Sequence, residues 1–352
     1  MDQMSASPDL IGNEGPSRVA AFVLAHLSDP HLAPLPRVRW PELMNKRLSG
    51  YFSWTQNRVR IHRRQVLDLL TADLAQQKWD HVAITGDLVN ISLPAEFTAA
   101  AQWLRSLGPA DRVTVIPGNH DAYVDVPWQQ SLSLWADYMR GQRAPGEEDR
   151  PPRVHDDFPF TRRLGPVALI GTSTALPMPL FVAAGRLGPT QCERLAGQLR
   201  AAGADGLFRV VLIHHPPFGG GAYKRKALLD ATAFQNVIAQ AGAELVLHGH
   251  THVSGLGRIT TAAGSVPVFG VPSASAVKAG HKDAARYHLY TIRKEPDSWS
   301  LEIEIRELNA EASGFERQGR LSMAIPLTSA PQLPYAGRAE QPGGGGDRLG
   351  QG

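Results

Sequence analysis

The chain has 352 residues, 43% of them apolar, which is ample for a large buried core, and its formal charge of only +3 argues against a general polyanion binder. Its single cysteine, Cys192, excludes an intramolecular disulfide and a thiolate zinc cluster, as suits a reducing compartment. The first residues carry Asp2, Asp9 and Glu14 without a basic cluster, unlike a signal peptide, and the apolar run Val19 to Leu27 is too short to span a bilayer, so a cytoplasmic location is expected.

In chain order, residues 1–17 read as a disordered, polar segment. A strand is expected over Arg18 to Leu27 and a helix over Asn57 to Gln77, with Val59, Val66, Leu67, Leu70 and Leu74 on one face. A strand from His81 to Thr85, a proline-opened helix from Pro94 to Leu107 and a strand from Arg112 to Ile116 follow. The alternation continues through Val167 to Gly171, Pro189 to Ala202, Phe208 to Ile213, Ala227 to Ala241 and Glu244 to Leu247. Then the pattern changes to consecutive strands: Val253 to Ile259, Val266 to Val271, Tyr287 to Arg293 and Trp299 to Arg306. The domain is expected to span 18–320, and 321–352 to form a Pro/Gly-rich disordered tail. Strand–helix alternation followed by a run of strands predicts an α/β protein in which helices cover two stacked mixed sheets.

Five polar clusters each follow an apolar strand, where open α/β sheets bind ligands. They are Asp29-Pro30-His31, Gly86-Asp87, Gly118-Asn119-His120-Asp121, His214-His215 and Gly249-His250-Thr251-His252. Carboxylate, amide oxygen and imidazole together suit a first-row divalent ion such as Mn, Fe or Zn. Asp29, His31, Asp87, Asn119, His214, His250 and His252 supply more donors than one ion recruits, so two ions are expected, with Asp87 bridging.

The order Asp-x-His, Gly-Asp, Gly-Asn-His-Asp, His, Gly-His-x-His resembles the calcineurin-like metallophosphoesterase superfamily, and within it the class III cyclic nucleotide phosphodiesterases and glycerophosphodiesterase-type enzymes. The resemblance covers about residues 18 to 306 and implies a four-layer α/β/β/α sandwich with a dinuclear centre between the sheets. It places Asp29, His31 and His252 on the first metal, Asn119, His214 and His250 on the second, and Asp87 between them. His214 is preferred over His215 because it lies nearer the strand end, and His215 is left either behind the ligands or as a substrate contact. His120 resembles the family histidine that meets the scissile phosphate and protonates the leaving oxygen, while Asp121 either orients His120 or closes the turn. Where the phosphatase branch often has an acid, this chain has Asn90. The implied activity is hydrolysis of a phosphodiester by a metal-bound hydroxide, with Asp87, Asn119 and His120 at the reacting centre. The alternative is a pyrophosphohydrolase of the kind that acts on UDP-diacylglucosamine, a nucleoside diphosphate-linked lipid.

Between Arg37 and Arg64, eight basic residues stand against one acid, Glu42, with Trp40, Tyr51, Phe52 and Trp54 interleaved. This segment reads either as a lip for an anionic substrate or an anionic membrane surface, with Arg58 as a contact, or as a solvated helix face. Lys224 is a second candidate phosphate contact, and no nucleic-acid signature is present. The insertion from Tyr123 to Pro159 reads as a cap over the site or as a surface loop.

Overall fold

A computed structural model describes residues 21–144, 146–218 and 225–327. Two six-stranded mixed sheets form its centre. The first sheet contains β1 (Phe22–Leu27), β2 (His81–Ile84), β3 (Val113–Val115), β10 (Arg286–Lys294), β11 (Ser298–Leu308) and β12 (Phe315–Pro326), in the order β12-β11-β10-β1-β2-β3. The second contains β4 (Phe160–Leu164), β5 (Val167–Gly171), β6 (Phe208–Leu212), β7 (Leu245–His248), β8 (Gly255–Thr261) and β9 (Gly264–Gly270), in the order β4-β5-β6-β7-β9-β8. Parallel pairing joins β1, β2 and β3 in one sheet and β5, β6, β7 and β9 in the other, so the carboxyl ends of the central strands share an edge within each sheet.

Alternation along the strands divides the core. On β6, Val210 joins the large apolar cluster with Tyr290 and Ile292 of the first sheet, while the next residue, Val211, joins a separate cluster. That second cluster contains Leu195 and Leu199 of the helix Pro189–Ala204 and Phe234 and Ile238 of the helix Ala231–Ala241. Helices therefore cover the outer face of the second sheet. The helices Arg64–Gln76 and Pro94–Leu107 contribute Leu67, Leu70, Phe97 and Leu104 to the large cluster. Two mixed sheets covered by helices are the architecture the strand pattern predicts.

The structure redraws four expectations. The helix expected over Asn57 to Gln77 is three pieces: a π-helical turn at Trp54–Arg58, a short α-helix at Val59–Ile61 and the helix Arg64–Gln76. Its break follows from backbone pairing: Arg63 N donates to Ser275 O at 2.9 Å and Val277 N donates to Ile61 O at 3.0 Å. Val59, placed by periodicity on the buried face, is 43% exposed because it lies before that break.

The basic segment also contains the helix Arg47–Ser53, and the two readings of its charges divide by residue. Arg47 is buried, its Nη2 donating to Ser92 O at 2.6 Å, and Trp54 is buried too, whereas Trp40 and Met44 are 78% and 85% exposed. In the insertion after His120, Trp135, Tyr138 and Met139 are buried beside Phe97 in the large cluster, so most of its apolar content is core rather than cap.

The last strand, β12, runs to Pro326, six residues past the expected end of the domain at 320. The expected disorder of residues 1–17, and of the tail from residue 328 onward, concerns residues outside those described.

Two histidines away from the site tie stability to pH. His81 donates or accepts with Thr114 Oγ1 at 2.7 Å, and burial, with Arg162 and Arg112 adding, pushes its pKa down to about 3. Burial, with Arg286, does the same to His288. Because the unfolded imidazole titrates near 6.5, the unfolded chain binds a proton that the folded chain refuses between about pH 3 and 6.5. This contribution is complete above that window and is lost as pH falls through it. Urea denaturation of metal-stripped His81→Gln between about pH 4.5 and 6 is expected to show a stability slope shallower than wild type by about 1.4 kcal/mol per pH unit.

Candidate metal centre

The ends of β1, β2 and β3 in one sheet and of β6 and β7 in the other meet at one place, and all seven expected ligands lie there. Close approach requires glycine at two positions. A Cβ on Gly118 would collide with the Asp87 carboxylate and backbone nitrogen, and one on Gly249 would collide with the side chains of Ser28 and Asp29. Five of the seven take the left-handed backbone conformation, unusual for residues with a Cβ: Asp29 (φ 52°), His31 (39°), Asp87 (57°), His250 (70°) and His252 (58°).

The donors form two groups sharing Asp87. His31 Nε2 lies 3.3 Å from His252 Nε2, 3.8 Å from Asp29 Oδ1 and 3.7 Å from Asp87 Oδ2. The same Asp87 oxygen lies 3.4 Å from His214 Nε2, which is 3.1 Å from Asn119 Oδ1. The His214 and His250 rings are 5.1 Å apart. One carboxylate oxygen thus faces both groups, while its partner, Oδ1, accepts from His120 N at 2.7 Å.

Proton bookkeeping shows that these groups suit cations. His214 Nδ1 donates to Thr85 O at 2.6 Å, so its Nε2 in the neutral ring presents a lone pair to an amide oxygen and a carboxylate. His31 likewise donates through Nδ1 to Val89 O at 3.2 Å, and His250 through Nε2 to Lys226 O at 3.0 Å. The lone pairs of His31, His214 and His250 and the carboxylates of Asp29 and Asp87 gather at one place, a donor set that suits two divalent ions.

The electrostatics agree. Burial holds the pKa values of His31, His250 and His252 well below the usual range, which keeps their imidazoles neutral, as metal binding requires. Burial pushes Asp29 up to about 6, with the Asp87 charge adding to the rise. Burial would raise Asp87 as well, but His214, His120 and His31 hold it well below the usual carboxylate range. Burial would lower His214, yet Asp87 and Asp29 lift it to about 9.

The remaining candidates divide. His214, not His215, points into the centre. Although His215 lies near His214 and His250, its Nδ1 accepts from Thr174 Oγ1 at 2.7 Å and its Nε2 donates to Ala183 O at 3.1 Å, leaving no nitrogen for a substrate. Asp121 closes the turn: its carboxylate accepts from the backbone nitrogens of Asp87, Leu88, Val89 and Gly118 at 2.8–3.0 Å. Asn90 ties the loop to Leu32 O through Nδ2, and its own carbonyl accepts from His120 Nδ1 at 2.5 Å. Lys224 lies outside the described residues.

Arg58, carried by the π-helical turn, reaches the centre and donates from Nη2 to His120 Nε2 at 2.8 Å. With Nδ1 donating and Nε2 accepting, His120 is neutral, and burial, reinforced by Arg58, pushes its pKa down to about 3. In this arrangement Nε2 accepts from Arg58, so the ring orients the guanidinium. Tyr123 stacks on His120 with ring centroids 5.6 Å apart.

Sequence reasoning missed His62. It is buried, with His31 and His252 as neighbours: one ring nitrogen of each of the three lies within 4.8 Å of the others. Its only signal was being the one histidine in the basic, aromatic segment.

Among solved structures, the chain is similar to a dimetal phosphatase from Danio rerio, with 14% identity over 86% of this chain and 99% of that one and a TM-score of 0.56, a likeness of fold. Weaker likenesses are to the calcineurin-like phosphoesterase YfkN of Bacillus subtilis (11% identity, 88% and 93% covered, TM-score 0.40) and a 5'-nucleotidase precursor of Thermus thermophilus (14%, 87% and 54%, 0.42). No curated protein sequence matches the chain. The sequence profile of the calcineurin-like phosphoesterases matches residues 22–254, a span that takes in all five strand-end clusters. A match over that much of the chain makes this protein a member of the calcineurin-like phosphoesterase family.

Proposed function

We propose that the protein is a two-metal phosphodiesterase. The observation that carries this reading is the Arg58 guanidinium, held against the ligand cluster by a neutral His120. Such a fork suits the two non-bridging oxygens of a phosphodiester. When bound, two ions of the Mn, Fe or Zn type would supply an activated water and neutralise charge developing on phosphorus.

The chain's own residues do the rest. Asp87 holds both halves of the ligand set together, and the neutral amide of Asn119 leaves its half more electrophilic than a carboxylate would. Arg58 grips the phosphoryl oxygens, and His120, fixed by Asn90 O, keeps the guanidinium in place.

A second reading is supported by the surface around Arg58. Trp40, Met44, Leu48 and Phe52 are exposed on the segment that carries it, beside Arg37 and Arg39. Exposed aromatics among cations suit an anionic lipid surface, and so a lipid-linked diphosphate of the UDP-diacylglucosamine class. No helix among the described residues is long and apolar enough to cross a membrane.

The test is hydrolysis of bis(p-nitrophenyl) phosphate beside p-nitrophenyl phosphate by stripped protein with Mn, Fe or Zn added back. Preference for the diester, lost in Asn119→Ala, is expected. Preference for the monoester sinks the diester reading. Turnover confined to a detergent-dispersed lipid diphosphate favours the second.

A further inference from the structure

His62 is held as a metal ligand is held, yet it lies outside the seven ligands already assigned. Its side chain is 1% exposed, and Nε2 has no hydrogen-bond partner. The other ring nitrogen fixes the tautomer. Nδ1 lies 3.0 Å from Ser275 Oγ and 3.2 Å from Ser273 Oγ. Ser273 Oγ spends its only proton on Asp29 O at 2.6 Å, so towards His62 it can only accept. With Nδ1 donating to these hydroxyls, the buried Nε2 is a bare lone pair.

That lone pair belongs to a ring packed against two first-metal ligands. The His62 and His31 rings are 4.5 Å apart and the His62 and His252 rings 5.4 Å, while Trp54 lies nearly parallel to the other side at 6.3 Å. Donors on a common ion with bonds of about 2.0–2.1 Å stand about 3 Å apart when adjacent and about 4 Å when opposite, so the 4.8 Å limit on the three ring nitrogens needs only a small closing movement. The serines that hold Nδ1 also tie His62 to the backbone of Asp29, as partners behind a metal-bound imidazole do.

We propose that His62 Nε2 is an additional ligand of the first metal, beside Asp29, His31, His252 and the shared Asp87. The first ion then has five protein donors and the second four, Asp87 serving both. Unequal occupancy follows: the first ion binds tightly and has little open coordination, whereas the second exchanges readily and faces the substrate. This inference rests on the two-metal reading and adds an asymmetry to it.

The test uses wild-type protein with ¹⁵N-labelled histidine, stripped and then loaded with ¹¹³Cd, so that no variant need fold. Spin coupling between cadmium and Nε2 of His62, alongside coupling at His31 and His252, is the expected result. In His62→Phe, which keeps a ring against Trp54, chelator competition should show the tighter binding step weakened at least about 10-fold and the weaker step nearly unchanged. Coupling at His31 and His252 with none at His62 overturns this proposal alone. No coupled histidine anywhere overturns the two-metal reading and this proposal with it.

Discussion

Replacing Asp87 by Asn is expected to reduce diester turnover by about 10³- to 10⁴-fold, the effect of several kcal/mol of lost charge stabilisation. Asp87 Oδ2 is the one oxygen facing both halves of the centre, at 3.7 Å from His31 Nε2 and 3.4 Å from His214 Nε2. An amide of the same shape still fills the space and can still accept from His120 N. It removes the negative charge that would hold two cations side by side, so both ions should bind more weakly. Bound metal counted by mass spectrometry alongside initial rates separates the possibilities. A variant with full activity and full metal content would remove Asp87 from the bridging position.

Arg58→Lys is expected to lower kcat/KM for the diester by about 10²- to 10³-fold, the usual loss on removing one preorganised donor to a developing anion. Lysine keeps the charge but loses the planar fork, and an ammonium cannot donate to His120 Nε2 and two phosphoryl oxygens in the same geometry. His120 is a positioning residue for that fork, so its variants should divide. His120→Ala should lose most of the effect of Arg58, whereas His120→Gln, whose Oε1 can accept from Nη2, should recover much of it. Equal loss in Ala and Gln variants would mean that the imidazole itself handles a proton. The pH profile offers an independent check, because a neutral His120 with its pKa near 3 leaves no ionisation of its own between pH 5 and 8.

The seven candidate ligands could be gathered from the sequence because each lies just past an apolar strand, and a strand end fixes both place and direction. Parallel pairing then brings distant ends together without further information. Arg58 and His62 were harder. Arg58 could be named from charge alone, but its aim depends on a π-helical turn that no periodicity records. His62 turns inward because its backbone leaves the helix to pair with residues 275–277, a contact more than two hundred positions away. Edge strand β12 escaped for the opposite reason. Most of its residues face solvent, so the alternation that marks a half-buried strand is missing from Phe315 to Pro326.

The left-handed backbone at Asp29, His31, Asp87, His250 and His252 would tie the protein's lifetime to its metal supply. Conformations of this kind cost about 1–2 kcal/mol apiece for residues with a Cβ, and they persist only where something holds them. Ions bound to those five residues would supply that hold, since a ligand of the native state stabilises it by mass action. Starved of its ions, the chain should therefore open more often at the strand ends and be cut there, a difference that pulse proteolysis of stripped and loaded protein would reveal. A cell short of these metals would then lose the polypeptide itself as well as its turnover, and abundance would follow nutrition without any dedicated regulator.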